Sequence, residues 1–119
     1  MKTVALKEQK PGELVSQETI DNIVKEIAQH FNPEKIILFG SYASNRGSPD
    51  SDVDLLVIME SDMPHNKRSV PLQLLFRPMP CAIDFLVFTP EEFDRWNGTP
   101  NHIVTEALNN GKVVYEKKS

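Results

Sequence analysis

The sequence predicts an α/β (α+β) domain, a two-layer fold in which a mixed β-sheet is covered by helices, mostly on one face. Segments whose apolar residues recur every three or four positions, as in a helix, alternate with short apolar runs that are typical of strands. The chain has 119 residues, which is enough for one domain and too few for two. We therefore expect a single domain with one hydrophobic core on each face of its sheet.

The first predicted element is a helix that begins after Ser16. Residues 1–14 mix lysine, glutamate, proline and glycine without a period, and we expect them to be a flexible lead-in to a domain that spans residues 15–119. Ser16 is a suitable N-cap, and Asn32-Pro33 ends the helix. The apolar positions of its single buried face are Ile20, Ile23, Val24, Ile27, Ala28 and Phe31.

Two strands are predicted after this helix. Residues 35–39 form an almost wholly apolar run that stops at Gly40, which indicates a strand buried on both faces at the centre of the sheet. A turn-rich segment, residues 44–51, leads to a second strand over residues 52–59.

The rest of the chain predicts two helices and two strands around one ambiguous segment. Residues 63–79 fit either a helix that starts near Pro71 or an irregular connection. The other elements are a strand at 81–88, a helix from Thr89-Pro90 to about Asn97, a last helix at 102–110 closed by Gly111, and a strand at 112–115.

Composition excludes several classes of function. The net charge of -4 provides no basic surface for duplex nucleic acid. No apolar run approaches the roughly 18 residues of a membrane span, and the amino terminus lacks a signal pattern, so we expect a cytoplasmic protein. One cysteine and three histidines cannot form a cysteine/histidine zinc cage. Any bound metal must therefore have oxygen ligands.

Three aspartates lie in the predicted strands, Asp52 and Asp54 at the start of the second strand and Asp84 within the third. Strand residues two apart face the same side, so Asp52 and Asp54 project together. Asp84 lies between apolar neighbours, where a buried charge is costly unless it is paired or binds a cation. If the two strands are neighbours, the carboxylates converge, and Mg²⁺ relieves their repulsion. Taken singly, each acid also fits an ordinary structural role.

A phosphate site is predicted next to these acids. The first strand delivers Gly40 and Ser41 at its carboxyl end, and residues 42–44 can begin a short helix. Glycine permits close backbone approach, while the Ser41 hydroxyl and the amides of a helix start can bind a phosphate.

Together these segments resemble the minimal nucleotidyltransferases of the DNA polymerase β superfamily, some of which are antitoxins encoded with HEPN-type toxins. The similarity runs from about residue 20 to residue 115. Members often place a basic residue and a glycine directly after the motif alanine, whereas here both come two positions later. The resemblance is carried by Gly40-Ser41-x-Ala43, Gly47, Ser51-Asp52-x-Asp54-Leu55 and Asp84.

The resemblance implies that Asp52, Asp54 and Asp84 are both the catalytic residues and the ligands of two Mg²⁺ ions, for which Mn²⁺ is a substitute. In such enzymes the metals grip the triphosphate, and the third aspartate helps to deprotonate the acceptor hydroxyl. The fold implied is that of a polymerase β-like nucleotidyltransferase.

The resemblance also implies the remaining site residues and the partners. The implied nucleotide- and phosphate-binding residues are Gly40, Ser41, Arg46 and Ser51. Ser51 would also orient the following aspartates as a turn residue. The implied reaction moves AMP from ATP, or another nucleoside monophosphate, to a hydroxyl of a helical HEPN-type protein and releases pyrophosphate. The alternative is a non-catalytic nucleotide-binding antitoxin or regulatory module that acts by binding its partner. The base of the nucleotide and the oligomeric state stay open.

Overall fold

The fold is built on a four-stranded mixed sheet, seen in a computed structural model that describes residues 2–118. The elements in chain order are α1 (Gln17–Phe31), β1 (Lys35–Phe39), β2 (Val53–Ile58), a 3₁₀ helix (His65–Lys67), α2 (Val70–Leu75), β3 (Ile83–Phe88), α3 (Pro90–Trp96), α4 (Ile103–Asn110) and β4 (Lys112–Glu116).

The strand order is β3-β2-β1-β4, so β1 is one of the two central strands as predicted. β1 runs antiparallel to both β2 and β4, whereas β2 and β3 are parallel. In that parallel pair, Asp54 of β2 lies directly opposite Asp84 of β3. The topology therefore confirms the mixed sheet and places two of the three acids on neighbouring strands.

Helices pack on both faces of the sheet, which corrects the expectation that they lie mostly on one. The α1 and α2 side, with Ile23 and Leu72 fully buried, forms one core. The α3 and α4 side, with Phe93 and Val104, forms the other. The cause is the composition of β1 and β2, whose apolar side chains point in both directions and need cover on each side. One core per face is confirmed.

The helix boundaries follow local signals in the sequence. The Ser16 side chain accepts a hydrogen bond from the Thr19 N–H, and α1 ends at Asn32 in the left-handed region with φ 49°. Thr89 and Glu92 form a reciprocal capping box at the start of α3. The longest described helix, α1, has 15 residues. No helix within residues 2–118 combines the length and apolarity needed to cross a membrane.

The N-terminal segment is attached to the domain. The Val4 N–H donates to the Leu75 carbonyl at 2.7 Å, and the Arg77 N–H donates to the Val4 carbonyl at 2.8 Å. The side chains of Val4 and Leu6 pack against the core on the α1 side. The expectation of an unpacked lead-in is therefore corrected. Val4 and Leu6 have the two-residue period of an extended chain, which the apolar Ala5 between them obscures in so short a run.

A partly buried ion pair fixes the connection between β2 and β3 to the start of α3. Arg68 is 8% exposed, and its guanidinium contacts both carboxylate oxygens of Glu92, at 2.5 and 3.3 Å. Its Nε donates to the Met63 carbonyl at 3.0 Å. The hydrogen bond from Arg68 is the main cause that lowers the pKa of Glu92 to about 2. No sequence pattern indicated this pair, because its members are 24 residues apart.

Candidate active site

The predicted acids lie at one end of the sheet. Asp54 and Asp84 are register partners on adjacent parallel strands, and Asp52 directly precedes β2. Two residues further along the same strands, Leu56 and Leu86 belong to the core beneath α3 and α4. Because strand side chains alternate, Asp54 and Asp84 lie on that same face. Asp54 is half-buried and Asp84 is exposed.

The acids affect one another electrostatically. The pKa of Asp54 is raised to about 6, first by burial and then by the charges of Asp84 and Asp52. The ionised form of such a carboxyl group is destabilised by its like-charged neighbours, and a bound cation would stabilise it. The repulsion expected from the sequence is therefore present at Asp54.

The donor set fits Mg²⁺ in its chemistry, since hard carboxylate oxygens are the ligands that this ion prefers. The side chains are not gathered around a common point, however. Within the described chain, no group of three or more His, Cys, Asp or Glu side chains is placed so as to hold a metal ion. Asp84 is also exposed, so the premise that its carboxylate is buried is wrong. Asp84 is the second residue of β3, near the end of the strand, where burial has not yet begun along the strand.

The backbone of Gly40 lies directly against the side chain of Asp54. Gly40 follows Phe39, the register partner of Asp54, and has φ +75°, in the left-handed region. A Cβ built on Gly40 would lie 2.1 Å from Oδ2 of Asp54. The backbone at the end of β1 therefore passes directly against the carboxylate, and a larger residue would require the Asp54 side chain to move.

Replacing Gly40 with alanine is expected to move Asp54 and to destabilise the fold. Gly12→Ala is the matched control, because Gly12 has a similar φ of +78° with no atom within 4 Å of its hypothetical Cβ. Both variants carry the backbone penalty of about 1 kcal/mol, and Gly40→Ala adds the overlap with Asp54. We expect chemical denaturation to show a further loss of about 1–2 kcal/mol for Gly40→Ala. Equal losses would mean that the contact with Asp54 does not constrain the site.

Residues 40–51, here named the phosphate loop, join β1 to the acids. The short helix predicted at residues 42–44 is absent, and turns occupy positions 41–45. The N–H groups of Ala43, Ser44 and Arg46 bond to carbonyls inside the loop, at 3.2, 3.2 and 2.8 Å. Asn45, with φ 59°, lets the chain reverse there. These three amides are therefore occupied within the loop, and the predicted helix start is replaced by turns.

Ser51 shapes the end of the phosphate loop. Its hydroxyl accepts a hydrogen bond from the Ser48 N–H at 3.1 Å and lies 3.0 Å from the Ser48 hydroxyl. The Ser51 N–H donates to the Ser48 carbonyl at 3.0 Å. Ser51 is thus a turn residue immediately before Asp52, with its hydroxyl engaged in that turn.

An open groove of about 600 Å³ brings three of the predicted nucleotide residues together. Gly40, Ser41 and Arg46 line it with Ser44, and Phe39 continues its wall. The opposite wall is the carboxyl end of α4. It presents Glu106 and Asn110, which the sequence did not single out; the Asn110 amide donates to the Glu106 carboxylate at 3.0 Å. The four-residue spacing of Glu106 and Asn110 places them on one face of a helix. It gives no indication that this face lies against a loop some sixty residues earlier in the chain.

Asp54→Asn is expected to raise the melting temperature at pH 8 and not at pH 4. The pKa of Asp54 is about 6 in the folded protein, against an ordinary value of 3.8. The folded state therefore favours the protonated acid, and this stabilisation is complete below about pH 4 and lost as the pH rises through 6. After allowance for partial exposure, the ionised form costs about 1 kcal/mol.

The measurement is thermal unfolding without divalent cations, with Asp62→Asn, at an exposed acid, as the control. An equal change at both pH values would contradict the assigned pKa of Asp54.

Comparison with known proteins gives one family and two similar structures. The sequence model described as "Polymerase beta, Nucleotidyltransferase" matches residues 21–119. A candidate nucleotidyltransferase from Sulfolobus solfataricus superposes with a TM-score of 0.56 and 22% identity, over 82% of this chain and 78% of that chain. A toxin–antitoxin structure with AMP-PNP superposes with a TM-score of 0.52 and 16% identity, over 82% and 74%. No curated protein sequence matches. At these identities the two structures establish a shared fold.

Proposed function

The chain belongs to the polymerase β nucleotidyltransferase family, and on that premise we propose that it transfers AMP from ATP to a hydroxyl of a partner protein. The single observation that carries the proposal is the placement of the acids. Asp54 and Asp84 are partners on adjacent strands, and the backbone of Gly40 abuts Asp54 where the phosphate loop begins. A carboxylate pair beside a groove with a hydroxyl and a guanidinium suits a triphosphate and its metal ions.

Each residue has a defined task in the proposed reaction. The Ser41 hydroxyl and the Arg46 guanidinium, both at the groove, bind phosphate oxygens. Asp52, Asp54 and Asp84 would hold two Mg²⁺ ions, which when bound neutralise the triphosphate and align the attacking and leaving oxygens. Asp84 is an exposed carboxylate on β3, the strand next to the two motif acids, and in this proposal it accepts the proton of the incoming hydroxyl. That hydroxyl oxygen bonds to the α-phosphorus, the α–β phosphoanhydride bond breaks, and pyrophosphate leaves with the electron pair.

The proposed acceptor is a second protein, specifically a helical HEPN-type toxin. The groove is open and the net charge of -4 is unsuited to nucleic acid as the acceptor. One of the two similar structures is a toxin–antitoxin with AMP-PNP. This likeness supports both the nucleotide and the kind of partner in the proposal.

The test is label transfer from [α-³²P]ATP with Mg²⁺ onto proteins of a host lysate, comparing the native chain with Asp52→Asn/Asp54→Asn. The double substitution removes two charges with little change of shape, so folding is preserved. We expect a labelled band with the native chain that is lost with the variant. Equal labelling by both chains would show that these acids are not the site.

A second candidate function is nucleotide-dependent binding of a partner without turnover. The observation that favours it is that no three carboxylates of residues 2–118 form a metal-binding group, with Asp84 exposed to solvent. Magnesium-dependent ATP binding by the native chain, with no labelled protein and with capture of a partner that requires MgATP and is lost with the variant, would establish this function instead.

A further inference from the structure

Tyr42 joins both ends of the phosphate loop to the start of the domain. Its hydroxyl donates to the carbonyl of Ser48 at 2.9 Å and accepts from the N–H of Val15 at 3.2 Å. The ring packs on the opposite limb of the loop, since a Cβ on Gly47 would lie 2.7 Å from its Cδ1. One side chain therefore closes the loop across its width and ties it to the residue before the N-cap of α1.

A second contact reaches the phosphate loop from the same direction. The Gln9 side-chain amide donates to the carbonyl of Pro49 at 3.3 Å, and the Gln9 N–H donates to the Pro80 carbonyl at 2.7 Å. Both Gln9 and Val15 precede residue 21, where the family match begins. The phosphate loop is therefore hydrogen-bonded to a segment of this chain that lies outside the matched region.

We propose that Tyr42 is a positioning residue that holds the phosphate loop in its nucleotide-binding shape, with the segment of residues 2–15 as its anchor. Tyr42 does not line the groove; it acts through the loop that carries Ser41 and Arg46. A loop closed before the nucleotide arrives loses less conformational entropy on binding, so its affinity is higher. This inference rests on the proposed function, because it assumes that the loop binds a triphosphate.

The test is Tyr42→Phe, which removes both hydrogen bonds and keeps the ring. Tyr115→Phe is the matched control, because Tyr115 lies on β4 and is likewise half-buried. We expect Tyr42→Phe to weaken binding of MgATP by about fivefold, the loss that a hydrogen bond or two implies. The affinity for inorganic tripolyphosphate with Mg²⁺ should fall by the same factor, because the loop contacts the phosphates and not the base. Tyr115→Phe should leave both affinities within twofold.

Two further readouts separate this inference from a general loss of stability and from failure of the proposed function. Hydrogen exchange at the Arg46 amide, which donates to the Ser41 carbonyl, should be about tenfold faster in Tyr42→Phe and unchanged in Tyr115→Phe. Gln9→Ala, which cuts the other link, should change affinity in the same direction as Tyr42→Phe. If the native chain binds no MgATP, the proposed function fails and the exchange rate alone decides the role of Tyr42. Unchanged exchange in Tyr42→Phe, or unchanged affinity where the native chain binds, overturns the inference.

Discussion

Asp84→Asn is expected to slow nucleotidyl transfer by at least 100-fold while MgATP affinity stays within about threefold of the native value. Loss of a general base typically costs 10²–10⁴-fold in rate. Asp84 is exposed and free to meet an acceptor hydroxyl, whereas Asp54 is half-buried against Gly40. Removing the charge of Asp84 also removes one cause of the raised pKa of Asp54, so that acid ionises more readily and retains its affinity for a cation.

The measurements are single-turnover transfer rates and a nucleotide titration on the same preparations. Asp94→Asn, at an exposed acid of α3, is the control for a simple change in net charge. We expect it to change neither the transfer rate nor the MgATP affinity. A rate within threefold of native for Asp84→Asn would show that Asp84 does not accept the proton in the transfer step. Loss of MgATP binding together with the rate would mean that Asp84 acts chiefly as a metal ligand and not as the proton acceptor.

Arg68→Ala is expected to lower the free energy of unfolding by about 2–3 kcal/mol, because it removes a buried side chain and leaves the partly buried Glu92 carboxylate without its cation. Arg68 is 8% exposed and is bonded to Glu92 and to the Met63 carbonyl. Its removal frees the Glu92 carboxylate and opens the connection between β2 and β3. Arg95→Ala is the matched control, because Arg95 pairs with Glu91 on the surface of α3, and it should cost less than about 0.5 kcal/mol.

The effect of Arg68→Ala should depend on pH with a defined sign. The pKa of Glu92 is lowered from 4.5 to about 2, chiefly by the hydrogen bond from Arg68. The stabilisation from this acid is therefore present above about pH 4.5 and lost as the pH falls through 2. Urea denaturation at pH 6 and near pH 2.5 should show the gap between native and variant narrowing at the lower pH. A constant gap would assign the loss to packing of the arginine stem rather than to the ion pair.

The sequence predicted most elements because their signals are local. The caps at Ser16 and Thr89, the helical period of α1 and the apolar run of β1 each depend on residues within one element. Packing that depends on distant residues was missed. The two-residue period of Val4 and Leu6 becomes meaningful only beside Leu75 and Phe76, about seventy residues later, where Val4 makes an isolated bridge.

The same distinction holds at the site. Asp52 and Asp54 were recognisable from strand spacing, and the adjacency of Asp84 followed once β2 and β3 were neighbours. The detailed conformation of the loop was not predictable, because turns closed by several of its own amides and carbonyls replace the predicted short helix. The second wall of the groove, Glu106 and Asn110, comes from a helix whose local sequence carries no phosphate-binding signal.

In the proposed reaction, the acids at the end of the sheet direct attack at the α-phosphorus of a nucleotide. The most direct test runs two parallel reactions, one with [α-³²P]ATP and one with [γ-³²P]ATP, on the acceptor found in the lysate. Nucleotidyl transfer predicts label on the acceptor from the α-phosphate only, one pyrophosphate released per acceptor modified, and neither product with Asp52→Asn/Asp54→Asn. Label from the γ-phosphate, or no label from either nucleotide with native protein that binds MgATP, would contradict it.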